Sequence, residues 1–106
     1  MRVPPLLAPE DRAAALAKAA RVRKARSEVK TSLKHGTLTL SAVLEDARED
    51  EVIAKLRVTA LLEAMPGVGK VRAAQIMTRL GISDSRRIKG LGANQRQALE
   101  QEFAAA

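Results

Sequence analysis

The sequence predicts an all-α protein, and three observations carry that assignment. Apolar residues recur at three- and four-residue spacing through most of the chain, and no alternating run is long enough for a strand; Leu38-Thr39-Leu40 comes nearest. All six glycines fall where a periodic run ends or begins. Hydrophobic residues make up 46% of the 106, but alanine supplies much of that and Phe103 is the only aromatic, so the chain suffices for one thin aliphatic core in one domain.

Residues 1–9 contain Pro4, Pro5 and Pro9 and no periodicity, and read as a flexible lead-in. Pro9-Glu10-Asp11 suits the first turn of a helix, because proline needs no N–H partner there and the acids complement the dipole. Nothing breaks that helix before Lys34, so residues 10–36 form a helical arm of nearly 40 Å at about 1.5 Å per residue. A compact chain of this length has a radius of gyration of about 13 Å, so the arm must project from the rest. Val22, Ala25, Val29 and Leu33 line one side that can dock on a core. Arg12, Arg23, Arg26, Lys30 and Lys34 share a neighbouring arc roughly 80° wide at 100° per residue. Most charged helix faces are merely solvated. Here Glu28 is the only acid after Asp11, so the usual i,i+4 neutralisation is missing, which favours a phosphate-contacting surface. His35-Gly36 closes the arm, with His35 an exposed helix-end residue lacking any second ligand cluster.

Residues 37–106 form the head. Thr39 or Ser41 caps a short helix through Val43, Leu44 and Ala47. Glu45, Asp46, Glu49, Asp50 and Glu51 follow without apolar cover, a solvated patch to which we assign no chemistry. Val52, Ile53, Leu56, Ala60, Leu61 and Leu62 read as one helix running into Pro66. The helix after that turn is expected to bury Val71, Ala74, Ile76 or Met77, and Leu80, stopping at Gly81. Ser83 is placed to cap a short turn holding Arg86-Arg87-Ile88-Lys89, and Asn94 to cap a last helix with Leu99 and Phe103 inward.

The chain is organised around Met65-Pro66-Gly67-Val68-Gly69-Lys70-Val71-Arg72. Pro66 cannot continue the preceding helix, and Gly67 and Gly69 let the chain reverse within a few residues. No side chain covers the backbone where the next helix starts, so its N–H groups and dipole are open to an anion. Lys70 and Arg72 in that first turn oppose the dipole unless an anion is present. Two rival glycine motifs fail. A P-loop would need Gly at 64, which is Ala, and Ser or Thr at 71, which is Val; a dinucleotide fingerprint would need Gly at 72, which is Arg. A helix–helix turn whose glycines only permit close packing stays open. Gly90-Leu91-Gly92 repeats the device after Arg86, Arg87 and Lys89, which weighs against that reading for both turns.

The formal net charge of +7 implies an acidic partner. It is regional: residues 1–44 carry nine Lys/Arg against three Asp/Glu, residues 45–55 two against five, and residues 56–106 eight against four. The absence of cysteine excludes disulfides, thiolate zinc sites and cysteine nucleophiles. No apolar run is long enough for a signal peptide or membrane span, so an intracellular protein with no membrane contact is expected. No cofactor, metal or catalytic residue is indicated.

Leu62 through Ile82, followed by Ser85-Arg86-Arg87-Ile88-Lys89-Gly90-Leu91-Gly92, closely resembles the actinobacterial integration host factor family, and the likeness extends over roughly residues 10–103. That resemblance implies a helix-two-turns-helix head, similar to one in a small-subunit ribosomal protein, with the N-terminal helix projecting as an arm or lid. It implies a nucleoid-associated, cytoplasmic protein that binds double-stranded DNA with little sequence preference, bends or compacts it and assists phage integrase. The family's contact positions carry over to Pro66, Gly67, Val68, Gly69, Lys70 and Arg72, and to Arg86, Arg87, Lys89, Gly90 and Gly92. Met65 stands where leucine is usual, a packing exchange. We expect a monomer.

An RNA-binding, ribosome-associated protein is the alternative of the same class, since A-form RNA is also read through its backbone. Single-stranded binding is disfavoured by the lack of aromatic stacking platforms. A repair glycosylase is disfavoured too: position 2 is Arg2, Pro4 is internal, cysteine is absent, and no aromatic wall exists for a flipped base. A charged adaptor for acidic proteins would not need the paired glycine turns.

Overall fold

The computed structural model describes residues 9–104. The chain runs α1 (Pro9–Lys34), α2 (Leu40–Asp46), α3 (Glu51–Ala54), α4 (Val58–Glu63), α5 (Lys70–Arg79), a single 3-10 turn (Ile88–Gly90) and α6 (Ala93–Glu102). The expected lead-in falls outside the described residues except for Pro9, which is the first residue of α1. The class is all-α, as the periodicity predicts.

The arm overhangs the head. Among the described residues every buried hydrophobic one lies at position 33 or later. Leu33 is fully buried, Val29 packs against the core, and Val22 and Ala25 are half-buried, whereas residues 9–18 are all exposed. The radius of gyration, 16.5 Å, and the longest dimension, 57 Å, exceed the compact expectation because of this projection. With nothing buried, the first half of α1 depends on alanine propensity and on Pro9, Glu10 and Asp11 at its start.

The head closes over Val43 and Leu44 of α2, Val58, Leu61 and Leu62 of α4, Met77 of α5, Leu99 of α6, and Ile88 and Leu33. Thr39 caps α2, its hydroxyl accepting from the Ala42 N–H at 3.1 Å. Asp50 caps α3 by accepting from the Val52 N–H at 2.9 Å, which gives one acid of the patch a structural role. Arg96 reaches across from α6 to the Leu44 carbonyl at 2.8 Å, and Arg79 pairs with Glu102 at 2.8 Å.

Three local expectations are corrected. The single helix expected over Val52–Leu62 is broken into α3 and α4. Leu56 and Val58 are both buried with exposed Arg57 between them, and Arg57 is extended. The Val58 N–H donates to the Arg86 carbonyl and the Ile88 N–H to the Leu56 carbonyl, each at 2.9 Å. This bridge prevails over helix continuation because it pairs backbone that no helix could satisfy and seats Ile88 in the core. It also makes Arg87 extended, with the 3-10 turn following, where the sequence suggested one compact turn. Second, α5 buries Ala73, Ile76 and Met77, while Val71 is 73% exposed and Ala74 is exposed. Ile76, Met77 and Leu80 pack inward as expected, and only the first turn differs, with Ala73 buried in place of Val71 and Ala74. Third, Asn94 lies inside α6. Gly92 is the residue before it, and the Gln95 side chain supplies the capping bond by accepting from the Gly92 N–H at 3.2 Å.

Candidate nucleic-acid interface

The first turn is held by the Val68 N–H donating to the Met65 carbonyl at 3.1 Å. Gly67 has φ 74°, the left-handed region where a side chain is strained, so the reversal itself requires glycine there. Gly69 is different. It sits immediately before α5 at φ −94° and ψ −173°, an extended conformation open to any residue, and a Cβ placed on it would meet nothing within 4 Å. The first backbone donor taken up by α5 is the Ala73 N–H, on the Gly69 carbonyl at 2.9 Å. The N–H groups of Lys70, Val71 and Arg72 have no partner among the described residues. Lys70 and Arg72 are exposed, and neither forms an ion pair with a described residue. Val68 is buried at 7% exposure, so it holds the turn against the core and offers no side chain outward. Pro66 is exposed.

The second turn repeats the outcome by other means. Gly92 precedes α6 at φ −75°, and a Cβ there would meet only Gln95 Oε1, at 3.9 Å. The Arg96 N–H is the first donor taken up, on the Gly92 carbonyl at 2.9 Å, which leaves those of Ala93, Asn94 and Gln95 without described partners. Arg86 is half-buried and donates from Nη1 to the Gly90 carbonyl at 2.7 Å, and Arg87 donates from Nη1 to the Lys55 carbonyl at 2.6 Å. Both guanidiniums therefore brace the turn while keeping further donors. A Cβ on Gly90 would come within 3.1 Å of Arg86 Cδ, so glycine there makes room for that brace. Lys89 is exposed with no bond to a described residue. Gln95 ties the start of α6 to the end of α5 by donating from Nε2 to the Gly81 carbonyl at 3.0 Å. The second open helix start is thus tied to the C-terminal end of α5, whereas the first lies at its N-terminal end.

The residues of the basic arc of α1 differ in exposure and surroundings. Arg12, Arg23, Lys30 and Lys34 are exposed, whereas Arg26 is half-buried with its Nε shielded and unpartnered among the described residues. Arg12 and Lys34 lie about 33 Å apart along the helix. Lys30 and Lys34 border an open groove of about 410 Å³ between the end of α1 and α4, walled by Ala60 and Glu63. Ala60 and Glu63 also wall the neighbouring groove that Lys70 borders. The C-terminal end of the arc thus adjoins the first turn, and Arg12 stands well away from it. The sequence reading overlooked Glu63 and Arg57, which border these grooves; their only sequence signal was a lone charge on a mostly apolar helix.

Among the described residues no helix is long and apolar enough to cross a membrane, and no group of three or more His, Cys, Asp or Glu is placed to hold a metal.

Residues 33–103 match the family model of the S13-like H2TH domain. The chain is 59% identical over 103 residues to an integration host factor of Streptomyces coelicolor, covering 97% of this chain and 95% of that one. It is 55% identical over 102 residues to an integration host factor of Mycobacterium tuberculosis, covering 96% and 97%. Its fold is similar, with a TM-score of 0.82 and 57% identity, to a solved structure of sIHF bound to an 8bp palindromic DNA, over 83% of this chain and 99% of that one. The chain belongs to the actinobacterial integration host factor family, with an S13-like H2TH head and a long N-terminal helix.

Proposed function

We propose that the protein grips double-stranded DNA by its backbone, with little sequence preference, through the two glycine-opened helix starts and the basic arc of α1. In this reading the free N–H groups at 70–72 and 93–95 donate to phosphate oxygens. Lys70, Arg72 and Lys89 add mobile charge, and Arg86 and Arg87 add positioned charge. Gripping at the two ends of α5, and again along α1, bends or compacts the duplex, and such a bend assists phage integrase on shared DNA. The protein acts as a monomer in the cytoplasmic nucleoid, with no chemistry of its own.

The observation that carries this reading is the pair Gly69 and Gly92. Neither has a backbone conformation that requires glycine, and neither is crowded by the fold. Bare backbone at two helix starts in a basic protein is what close approach of a phosphate requires. The reading is tested by titrating unrelated duplex sequences, a duplex RNA of equal length, and short DNA fragments in a ligase circularisation assay. Similar affinity across DNA sequences with enhanced circularisation supports it. Preference for the RNA duplex would move the same grip to a ribosome-associated role.

A further inference from the structure

We infer that Glu63 restrains the DNA grip: it is an acidic brake set between the lysines that end α1 and the lysine that opens α5, and it lowers affinity for the backbone phosphate that crosses this groove. The inference rests on the backbone-binding reading above and assigns a function to a residue of the opposite charge.

Glu63 is the last residue of α4, two before the chain enters the Pro66 turn, and it is half-buried. On one side it walls the groove bordered by Lys30, Lys34 and His35. On the other it walls the groove bordered by Arg57 and Lys70, where Asp84 is the other acid. It forms no ion pair with any described residue, and neither do Lys30, Lys34, Arg57 or Lys70. Three other acids of the head are paired, Glu45 with Arg48 at 3.0 Å, Glu51 with Lys55 at 3.3 Å, and Glu102 with Arg79 at 2.8 Å; of the acids without a described ion pair, Glu63 is the one that walls both lysine-bordered grooves. Glu63 therefore stabilises no single partner and instead lowers the potential of a whole cationic groove. A phosphate arriving between Lys34 and Lys70 meets a carboxylate already there, and the two anions compete for the same lysines. Such a brake keeps a non-specific grip reversible, so that the protein can exchange between sites.

The test is a comparison of Glu63→Gln with Glu49→Gln in the full chain, by titration with a short duplex at about 50 and 200 mM salt. Glu49 is exposed in the acidic patch and forms no ion pair among the described residues, so both variants raise the net charge equally. At separations of several ångströms in a high effective dielectric, removing one repulsive charge should tighten binding about 3- to 10-fold at the lower salt. The gain should shrink at the higher salt, where the screening length falls below about 10 Å. Glu49→Gln should change affinity by less than about 2-fold. Adding Lys30→Gln and Lys34→Gln should remove most of the Glu63→Gln gain, because the brake acts through those lysines. Equal effects of the two single variants would overturn the inference in favour of net charge alone, and weaker binding by Glu63→Gln would overturn it outright. In both cases wild-type binding to the duplex would leave the backbone-grip reading standing, whereas absence of wild-type binding would defeat that reading first.

Discussion

The two glycine turns reach the same end from different local structures. The first is a left-handed reversal at Gly67 that leaves Lys70 and Arg72 free in solvent. The second is a 3-10 turn in which Arg86 and Arg87 clasp backbone carbonyls at 2.7 and 2.6 Å. Only the uncovered helix start is common to both. That shared element is where the function is expected to concentrate, while the cations around it differ in whether they also hold the fold.

The largest effect should come from obstructing the shared element. Gly69→Val and Gly92→Val are compatible with the free backbone, since both positions are extended and an added Cβ meets nothing within 4 Å at 69 and only Gln95 Oε1 at 3.9 Å at 92. Each should lose DNA affinity by about 10-fold or more, the scale of one or two charge-assisted hydrogen bonds at about 1.5–3 kcal/mol each, with thermal unfolding little changed. Normal binding by the folded variants would make both turns packing devices.

Next, the cations should separate the turns. Arg86→Ala should weaken binding and also lower Tm by about 4–8 °C, because a bond worth about 1 kcal/mol is lost from a small domain. Lys70→Ala should weaken binding and shorten the salt slope by about 0.9, while leaving stability within about 0.5 kcal/mol. Equal thermal shifts would erase the distinction between braced and mobile charge.

Deleting residues 1–20 should spare the head, since the described buried core begins at Leu33, and should reduce the salt slope by roughly 1 to 3 as Arg2, Arg12 and Lys18 are removed. Circular dichroism would report the head, and titration the slope. The smallest effect belongs to Val71→Ala: at 73% exposure it should move stability by less than about 0.5 kcal/mol, whereas burial would have cost more.

These contrasts also mark where the sequence was legible. Pro9, Gly36, the Pro66-Gly67 reversal and Gly81 are chemical stop and start signals, and each boundary fell within a residue or two of its place. The break at Arg57 was not legible, because its cause is a partner thirty residues away: Arg86 and Ile88 supply the hydrogen bonds that end one helix and begin the next. In the first turn of α5 hydrophobicity alone favours Val71, and only tertiary packing places the smaller Ala73 inside instead. At the candidate site, the glycine turns could be found from spacing. What could not be read was which cations were already engaged: Arg87 and Arg96 hold carbonyls across the fold and Arg86 one within its own turn, while Lys70 and Lys89 have no partner among the described residues. Glu63 gained meaning only once α1 and α5 were seen to flank it.

The most direct test of backbone grip is the salt dependence of binding to a duplex of arbitrary sequence. If about five to eight phosphates are neutralised by the two turns and the arc, log K should fall against log salt with a slope of roughly −4.5 to −7, and the slope should be nearly the same for unrelated sequences. A slope shallower than about −2, or a strong consensus site on selection, would contradict it.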